Sequence, residues 1–341
     1  MSELCNVNHE MIQLARESRG LTQIELAARS YISQSHISKL ERGEWSVPLL
    51  KLQQIAEVLE YPITFFFEQA FQYRFDMNFI YHRKRQSVSR TLLKKCEAQA
   101  NVKIMQLDKL LNSIDLDSPN DFIELDSEGH APERVAEILR WKWNVAPGPI
   151  DNMVGVIENA SGFVFKCDFE TRKFDGMSFW PKAMPPVFFM NRDVPADRFR
   201  FSLAHELGHI VMHRMPTENI EEEANRFASE FLMPRADIFA DLRPFSLHKA
   251  MILKSKWKVS IASLVRRAYD LDVITKSKYS SLYRQICYRG IRTQEPIEIP
   301  NETTSLFSNI IKTYTSQLGY SIEGLCKLLG ILPQHFLKET V

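Results

Sequence analysis

Residues 205–209 read His-Glu-Leu-Gly-His, which places two imidazoles four residues apart. In an α-helix these two positions share one face, so both rings can converge on one cation. Glu206 follows the first ring and is placed to take a proton from water as a general base. Most of the neighbouring residues are apolar, so buried His and Glu side chains here would need polar partners. Two histidines satisfied by core hydrogen bonds are the structural alternative, but the spacing favours zinc held by His205 and His209.

A catalytic zinc site needs a third protein ligand and an open position. The position six residues after His209 is Met215, which excludes a third histidine at that spacing. His213 shares the helix, but each turn rises 5.4 Å, so three ligands on one straight helix cannot converge. We therefore expect His213 to support the ligands rather than to bind the ion.

The acidic segment after Pro216 offers the missing carboxylate. Glu221 is the predicted third ligand, while its neighbours Glu222 and Glu223 remain alternatives. Asn225 lies one turn further on and can hydrogen-bond a ligand imidazole.

A second pattern, near the N-terminus, is typical of two short crossed helices. The segments 21–27 and 33–43 flank a turn at Tyr31–Ile32, and Thr22 and Ser33 are natural N-caps. A recognition helix presents its first side chains to base edges, where Gln and Lys bind adenine or guanine. Gln and Arg at the flanking positions suit phosphates. The predicted DNA-binding residues are Gln23, Gln34, Ser35, Ser38, Lys39 and Arg42.

Charge is unevenly distributed along the chain. Residues 1–70 contain six Lys/Arg and nine Glu, whereas residues 71–112 contain nine Lys/Arg and three acids. Because cations drive phosphate binding, the first segment alone should bind DNA weakly. The basic segment, predicted as a strand at 75–81 and then a long helix, could supply the charge, as could a homodimer.

The 341 residues are enough for two or three domains. We expect a five-helix DNA-binding domain at 1–70, a basic helix and linker at 71–131, an α+β domain at 132–245, and a helical region at 246–341 for sensing or dimerisation. Short strands are predicted at 163–165, 177–180 and 186–190. The last of these is a candidate edge strand for an extended substrate. No internal repeat is apparent.

Composition excludes several classes of protein. Formal net charge is +1, so nucleic-acid binding depends on local patches. No window reaches 18 consecutive apolar residues, and the N-terminus lacks a signal-peptide pattern. The five cysteines are scattered and form no C-x-x-C. We expect a cytoplasmic protein with reduced thiols that does not bind membranes.

Two resemblances to known families follow from these motifs. Residues 11–67, with the quoted helix pair, resemble the Xre family of Cro-type helix-turn-helix domains. Residues 130–300 resemble the ImmA/IrrE family of metallopeptidases. That resemblance rests on Arg198–Ala204, on Glu221-x-x-Ala-Asn225-x-Phe-Ala, on Phe231–Pro234, and on the upstream segments Gly148–Ile150, Phe174–Gly176 and Pro185–Val187. It implies a zincin-like fold in which His205, His209 and Glu221 bind zinc and Glu206 is the base.

The resemblance implies a DNA-binding transcriptional regulator with zinc-dependent endopeptidase activity toward a repressor or another regulatory protein. One alternative is a regulator or antitoxin whose peptidase domain is an inactive sensor or dimerisation module. Another is a protease whose helix-turn-helix recruits only proteins. The donor that stabilises the oxyanion is open among His213, Arg200, Tyr269 and Tyr279.

Overall fold

The computed structural model describes residues 4–69, 88–114, 116, 118–125, 129–213 and 218–336. The strand predicted at 75–81 lies outside this range. The chain forms two compact units, Met1–Leu116 with Phe307–Val341, and Asp117–Leu306. Each is described separately.

The first part of unit one is a small helical domain with a two-stranded antiparallel sheet, β1 (Leu4–Cys5) and β2 (Val47–Pro48). Apolar residues spaced three and four apart, among them Leu26, Ile37 and Leu52, are buried in its core. Of the five helices predicted for residues 1–70, the described part shows four α-helices and one 3-10 turn. These are α1 (His9–Ser18), α2 (Gln23–Ser30), α3 (Gln34–Glu41), α4 (Leu49–Leu59) and the turn Ile63–Phe67.

The predicted long basic helix is present as α5 (Arg90–Leu111), capped by Ser89. Its residues Ala98, Val102 and Met105 belong to the same hydrophobic core as α1–α4. This helix therefore packs as part of unit one and is not a free linker.

The region predicted as one C-terminal module, 246–341, is divided between the two units. Helices α14 (Leu306–Ser316) and α15 (Ile322–Leu329) are followed by a 3-10 turn. The Tyr314 hydroxyl donates a hydrogen bond of 2.8 Å to the carbonyl of Leu110 in α5. Helix α14 thus contacts the basic helix, which sequence reasoning did not predict.

Helix α15 resembles helix α2 in its N-cap and in its final turn. Helices α2 and α15 are both eight residues long, and their N-caps Thr22 and Ser321 each accept from the backbone N–H three residues later. Both helices end at an αL residue, Tyr31 with φ 55° and Gly330 with φ 65°. This likeness is limited to one cap and one turn, because α3 is an eight-residue helix whereas α15 is followed by a three-residue 3-10 turn.

Unit two contains a three-stranded sheet of order β3-β5-β4. Strand β5 (Val187–Asn191) is central, parallel to β3 (Phe163–Cys167) and antiparallel to β4 (Gly176–Phe179). The expectation that 186–190 forms an edge is therefore wrong. All five residues of β5 are buried, as expected for a central strand, and β4 is an edge strand instead.

Helices surround this sheet and share one core with it. The predicted α+β class is confirmed. No helix among the described residues is long and apolar enough to cross a membrane. The helices of unit two are α6 (Pro132–Lys142), α7 (Met153–Glu158), α8 (Ala196–Met212), α9 (Ile220–Leu232), α10 (Arg235–Ile238), α11 (Leu247–Trp257), α12 (Ile261–Asp270) and α13 (Lys276–Tyr288).

Candidate metal centre and nucleic-acid interface

Two helices position the candidate metal ligands. Helix α8 carries His205, Glu206 and His209, and α9 carries Glu221. A Cβ at Gly208 would lie 2.9 Å from a ring carbon of Phe227 and 3.4 Å from the Cα of Ala224. Glycine therefore permits a close approach of α9 to α8, and this approach brings the carboxylate of Glu221 to the two imidazoles.

The three predicted ligands meet at one point. The Nε2 atoms of His205 and His209 are 3.0 Å apart, and oxygens of Glu221 lie 3.6 Å from each. All three candidate ligand atoms lie within 4.8 Å of one another. Among the described residues, these three side chains form the cluster of His, Cys, Asp or Glu that could hold a metal ion. Glu222 is exposed and Glu223 contacts His213. Of the three adjacent acids, it is therefore Glu221 that lies with the two imidazoles.

The opposite edge of each imidazole has its own partner. Nδ1 of His205 is 3.1 Å from Oδ1 of Asn225, which can only accept a hydrogen bond. Nδ1 of His209 is 3.0 Å from Nδ1 of His213. Asn225 and His213 therefore lie where the sequence predicted, behind the two candidate ligands. An Nδ1–H donated to Asn225 leaves Nε2 of His205 as a lone pair directed at the cluster.

His213 connects His209 to an acid that the sequence analysis considered only as an alternative ligand. Its Nε2 lies 2.9 Å from Oε2 of Glu223, and its side chain is fully buried. Burial, reinforced by the charge of His209, lowers the pKa of His213 to about 4. A neutral His213 that donates to Glu223 can accept the Nδ1–H of His209, which directs the Nε2 lone pair of His209 toward His205 and Glu221.

The two groups facing each other in the cluster have perturbed acidity. Burial alone would raise the pKa of Glu221, but hydrogen bonds and charge interactions with His205 and His209 outweigh it and hold the pKa well below its ordinary value. Burial lowers the pKa of His209, although Glu221 opposes that shift. Ionised carboxylate and neutral imidazole are the protonation states in which these side chains bind a metal.

Glu206 lies in the same helix but is held by the sheet. The Ser178 hydroxyl on β4 donates to its Oε2 at 2.8 Å, and Glu206 is 5% exposed. Sequence reasoning missed Ser178, because a lone serine in a short strand gives no signal of this contact. Its position on the edge strand β4 places the candidate base beside a strand that an extended peptide could pair with.

The structure narrows the candidates for an oxyanion donor. Arg200 is buried, and its guanidinium donates to the carbonyls of Ile150 and Lys258 and pairs with Glu302. Burial lowers its pKa to about 10. Arg200 is therefore committed to holding the fold together.

His213 is bound to the candidate ligand His209, and Tyr269 packs its ring 5.0 Å from that of Tyr279. The geometry selects none of these three as the oxyanion donor.

The predicted DNA-binding residues occupy one face of unit one. Gln34, Ser35, Lys39 and Arg42 are exposed, while Gln23 and Ser38 are half-buried. Leu26, Ala27, Ile37 and Leu40, on the inner side, are buried as predicted. Arg42 forms an exposed ion pair of 2.9 Å with Glu44.

A chain of contacts fixes this face from beneath. Arg16 of α1 donates to both carboxylate oxygens of Glu41, at 2.5 and 3.0 Å, and all these atoms are buried. Glu41 accepts from Gln23 at 2.7 Å, and Gln34 donates to Gln23 at 3.0 Å. The pair of Arg16 and Glu41 was not predicted, since 25 residues separate them in the sequence.

Comparisons with known proteins identify two domain families in the chain. Residues 158–269 match the family model of the IrrE N-terminal-like domain, which belongs to a peptidase family, and residues 12–66 match a helix-turn-helix family model. The chain therefore combines an Xre-like helix-turn-helix domain with an IrrE/ImmA-like domain, as its motifs indicated.

One relative shares the first of these domains. It is described as an uncharacterized HTH-type transcriptional regulator from Sinorhizobium fredii and is 41% identical over 55 residues. The match covers 16% of this chain and 28% of the relative. It supports the DNA-binding domain alone.

Proposed function

We propose that this protein is a DNA-binding transcriptional regulator whose second unit is a zinc-dependent endopeptidase acting on a repressor or another regulatory protein. The observation that carries the proposal is the convergence of His205, His209 and Glu221 beside the buried carboxylate of Glu206. The family matches at both domains support it.

The donor set fits zinc. Two imidazoles and one carboxylate are a common ligand set of catalytic zinc, which binds them at about 2.0–2.2 Å. Two nitrogens at that distance in tetrahedral geometry lie about 3.3 Å apart, close to the 3.0 Å between the Nε2 atoms here. When bound, zinc would supply a Lewis acid that polarises a scissile carbonyl and makes water more acidic.

The surrounding residues would divide the remaining work. Asn225 and His213 fix the ring orientations of the two histidines, so both lone pairs stay directed inward. Ser178 holds the Glu206 carboxylate in one orientation. Glu206 takes a proton from the attacking water and returns it to the leaving amine. Strand β4 can align an extended substrate alongside it.

The DNA-binding half of the proposal rests on unit one. The recognition helix α3 carries Gln34, Ser35, Ser38 and Lys39. The expected partner is a DNA duplex that contains the operator. A homodimer would bind an operator whose two half-sites share its twofold symmetry. The other partner is the protein substrate.

A substitution at Glu206 tests the peptidase half. We expect wild-type protein and Glu206→Gln to bind about one zinc per chain by elemental analysis, since glutamine leaves the three ligands in place. Terminal proteomics should find new protein N-termini in cells that express the wild type, and these N-termini should be missing in cells that express Glu206→Gln. Glu222→Gln, which changes an exposed acid on α9, is the control and should behave like wild type.

Two results decide between this proposal and an inactive sensor domain. Loss of the new N-termini in Glu206→Gln with zinc retained supports a peptidase. Identical sets of N-termini in the two forms, with DNA repression intact in both, would show that the domain does not cleave proteins.

A further inference from the structure

The helix-turn-helix domain lacks the charge that its proposed partner demands. Residues 1–70 contain six Lys/Arg and nine Glu. Two of these cations are occupied, because Arg16 is buried against Glu41 and Arg42 pairs with Glu44. Since duplex DNA binds proteins largely through phosphate neutralisation, cations from another element are needed.

Helix α5 lies next to the predicted DNA-binding face. Over Arg90–Leu111 it has five Lys/Arg and two acids. Thr91 and Lys94, in its first turns, line a cleft of about 360 Å³ together with Gln23 and Gln34. We call this the α2–α5 cleft. The cleft is thus lined by a predicted phosphate contact, Gln23, by a predicted base contact, Gln34, and by Lys94 from outside the helix-turn-helix domain.

Lys94 is poised to bind an anion there. Its side chain is 61% exposed, and its amine is 3.9 Å from the nearest oxygen of Glu17, beyond hydrogen-bond distance. The same Glu17 oxygen already accepts from Gln13 at 3.1 Å and lies 3.5 Å from Arg16. Glu17 is therefore served by other donors, and Lys94 can turn to a phosphate without leaving an acid unpaired.

We propose that Lys94 of α5 contacts a DNA phosphate in the α2–α5 cleft, so that the DNA interface extends beyond the helix-turn-helix domain. Gln23 and Gln34 mark the course of the duplex across this face, and a cation in the same cleft faces the same backbone. The inference rests on the proposed DNA-binding function and adds a residue and an element to it.

Salt dependence of binding tests the contact directly. The probe is a 30-base-pair duplex selected by the full-length protein from a random pool, and affinity is followed by fluorescence anisotropy across KCl concentrations. Each lost phosphate contact reduces the slope of log affinity against log salt by about 0.9, so Lys94→Ala should weaken binding about eightfold at 100 mM salt. Lys94→Arg should retain both slope and affinity.

Matched variants separate this contact from general charge effects. Lys327→Ala removes an exposed lysine of α15 in the same unit, does not touch the α2–α5 cleft, and should leave the slope unchanged. Glu17→Gln should strengthen binding, because it removes a negative charge from the cleft. Thermal melting of Lys94→Ala, Lys94→Arg and Lys327→Ala should match wild type, as expected for changes of exposed side chains.

The outcomes separate this contact from DNA binding as a whole. If Lys94→Ala keeps the wild-type slope and affinity while Gln34→Ala weakens binding, DNA binding stands and the Lys94 contact is refuted. If Lys94→Ala and Lys327→Ala weaken binding equally, the effect is general charge and the contact is also refuted. If wild-type protein selects and binds no duplex, the proposed function fails, and the contact with it.

Discussion

The candidate metal centre and the DNA-binding face are built in opposite ways. At the candidate metal centre, the three candidate ligands are at least partly buried, and the two histidines each have a second partner on the opposite ring edge. On the DNA face, Gln34, Ser35 and Lys39 are exposed, and a buried contact beneath them, between Arg16 and Glu41, fixes the helices.

This difference follows from what each site is proposed to bind. A metal ion requires three atoms placed to within tenths of an ångström, so each ligand needs its own support. The side chains that contact a DNA duplex can adjust when the complex forms. The position of the recognition helix that carries them must therefore be fixed within the domain. Single substitutions should therefore affect metal binding in an all-or-none way and DNA binding by increments.

The largest effect is expected at a metal ligand. His205→Ala leaves two of three protein ligands, so zinc content measured by elemental analysis after dialysis against a chelator should fall from about one per chain to near zero. His248→Ala, an exposed histidine of α11, should keep its zinc. Full zinc content in His205→Ala would contradict the proposed ligand set.

An intermediate effect is expected beneath the DNA face. Glu41→Ala leaves the buried guanidinium of Arg16 without its carboxylate, which costs about 3–5 kcal/mol of unfolding free energy. Chemical denaturation of the protein should show this loss. Glu44→Ala removes the partner of Arg42 in an exposed pair and should cost less than about 1 kcal/mol. Equal losses in the two variants would show that the buried pair does not fix this face.

The smallest effect on the fold is expected on the DNA face itself. Gln34→Ala should change unfolding free energy by less than about 0.5 kcal/mol, because the side chain is exposed. Affinity for the selected duplex should nevertheless fall by about 1–3 kcal/mol if Gln34 reads a base. Gln317→Ala, also exposed in unit one, is the control for both measurements. A large loss of stability in Gln34→Ala would show that an exposed side chain of the DNA face also stabilises the fold, which would contradict the difference between the two sites.

Local spacing made much of both sites predictable. Residues four apart share a helical face whatever the rest of the fold does, so His205 and His209 could be paired from the sequence. The N-cap Thr22 and the turn at Tyr31 depend on a few neighbouring residues, so the helix-turn-helix could also be predicted from the sequence. The family resemblances rested on the same short motifs.

Contacts between distant residues could not be predicted in this way. Nothing in the sequence links Ser178 to Glu206, Glu223 to His213, or Lys94 to the helix-turn-helix domain. The central position of β5 was likewise missed, because strand order depends on which edges pair, and short apolar strands look alike.

The sequence by itself therefore determined which side chains could do chemistry, since that depends on residue type and helical periodicity. Only the tertiary structure decided which of three adjacent acids faces the imidazoles, which strand borders the candidate base, and which helix lies next to the predicted DNA face. Those choices depend on how helices and strands pack, and packing is fixed by residues distant in the chain, such as Gly208, whose missing side chain leaves room for Phe227.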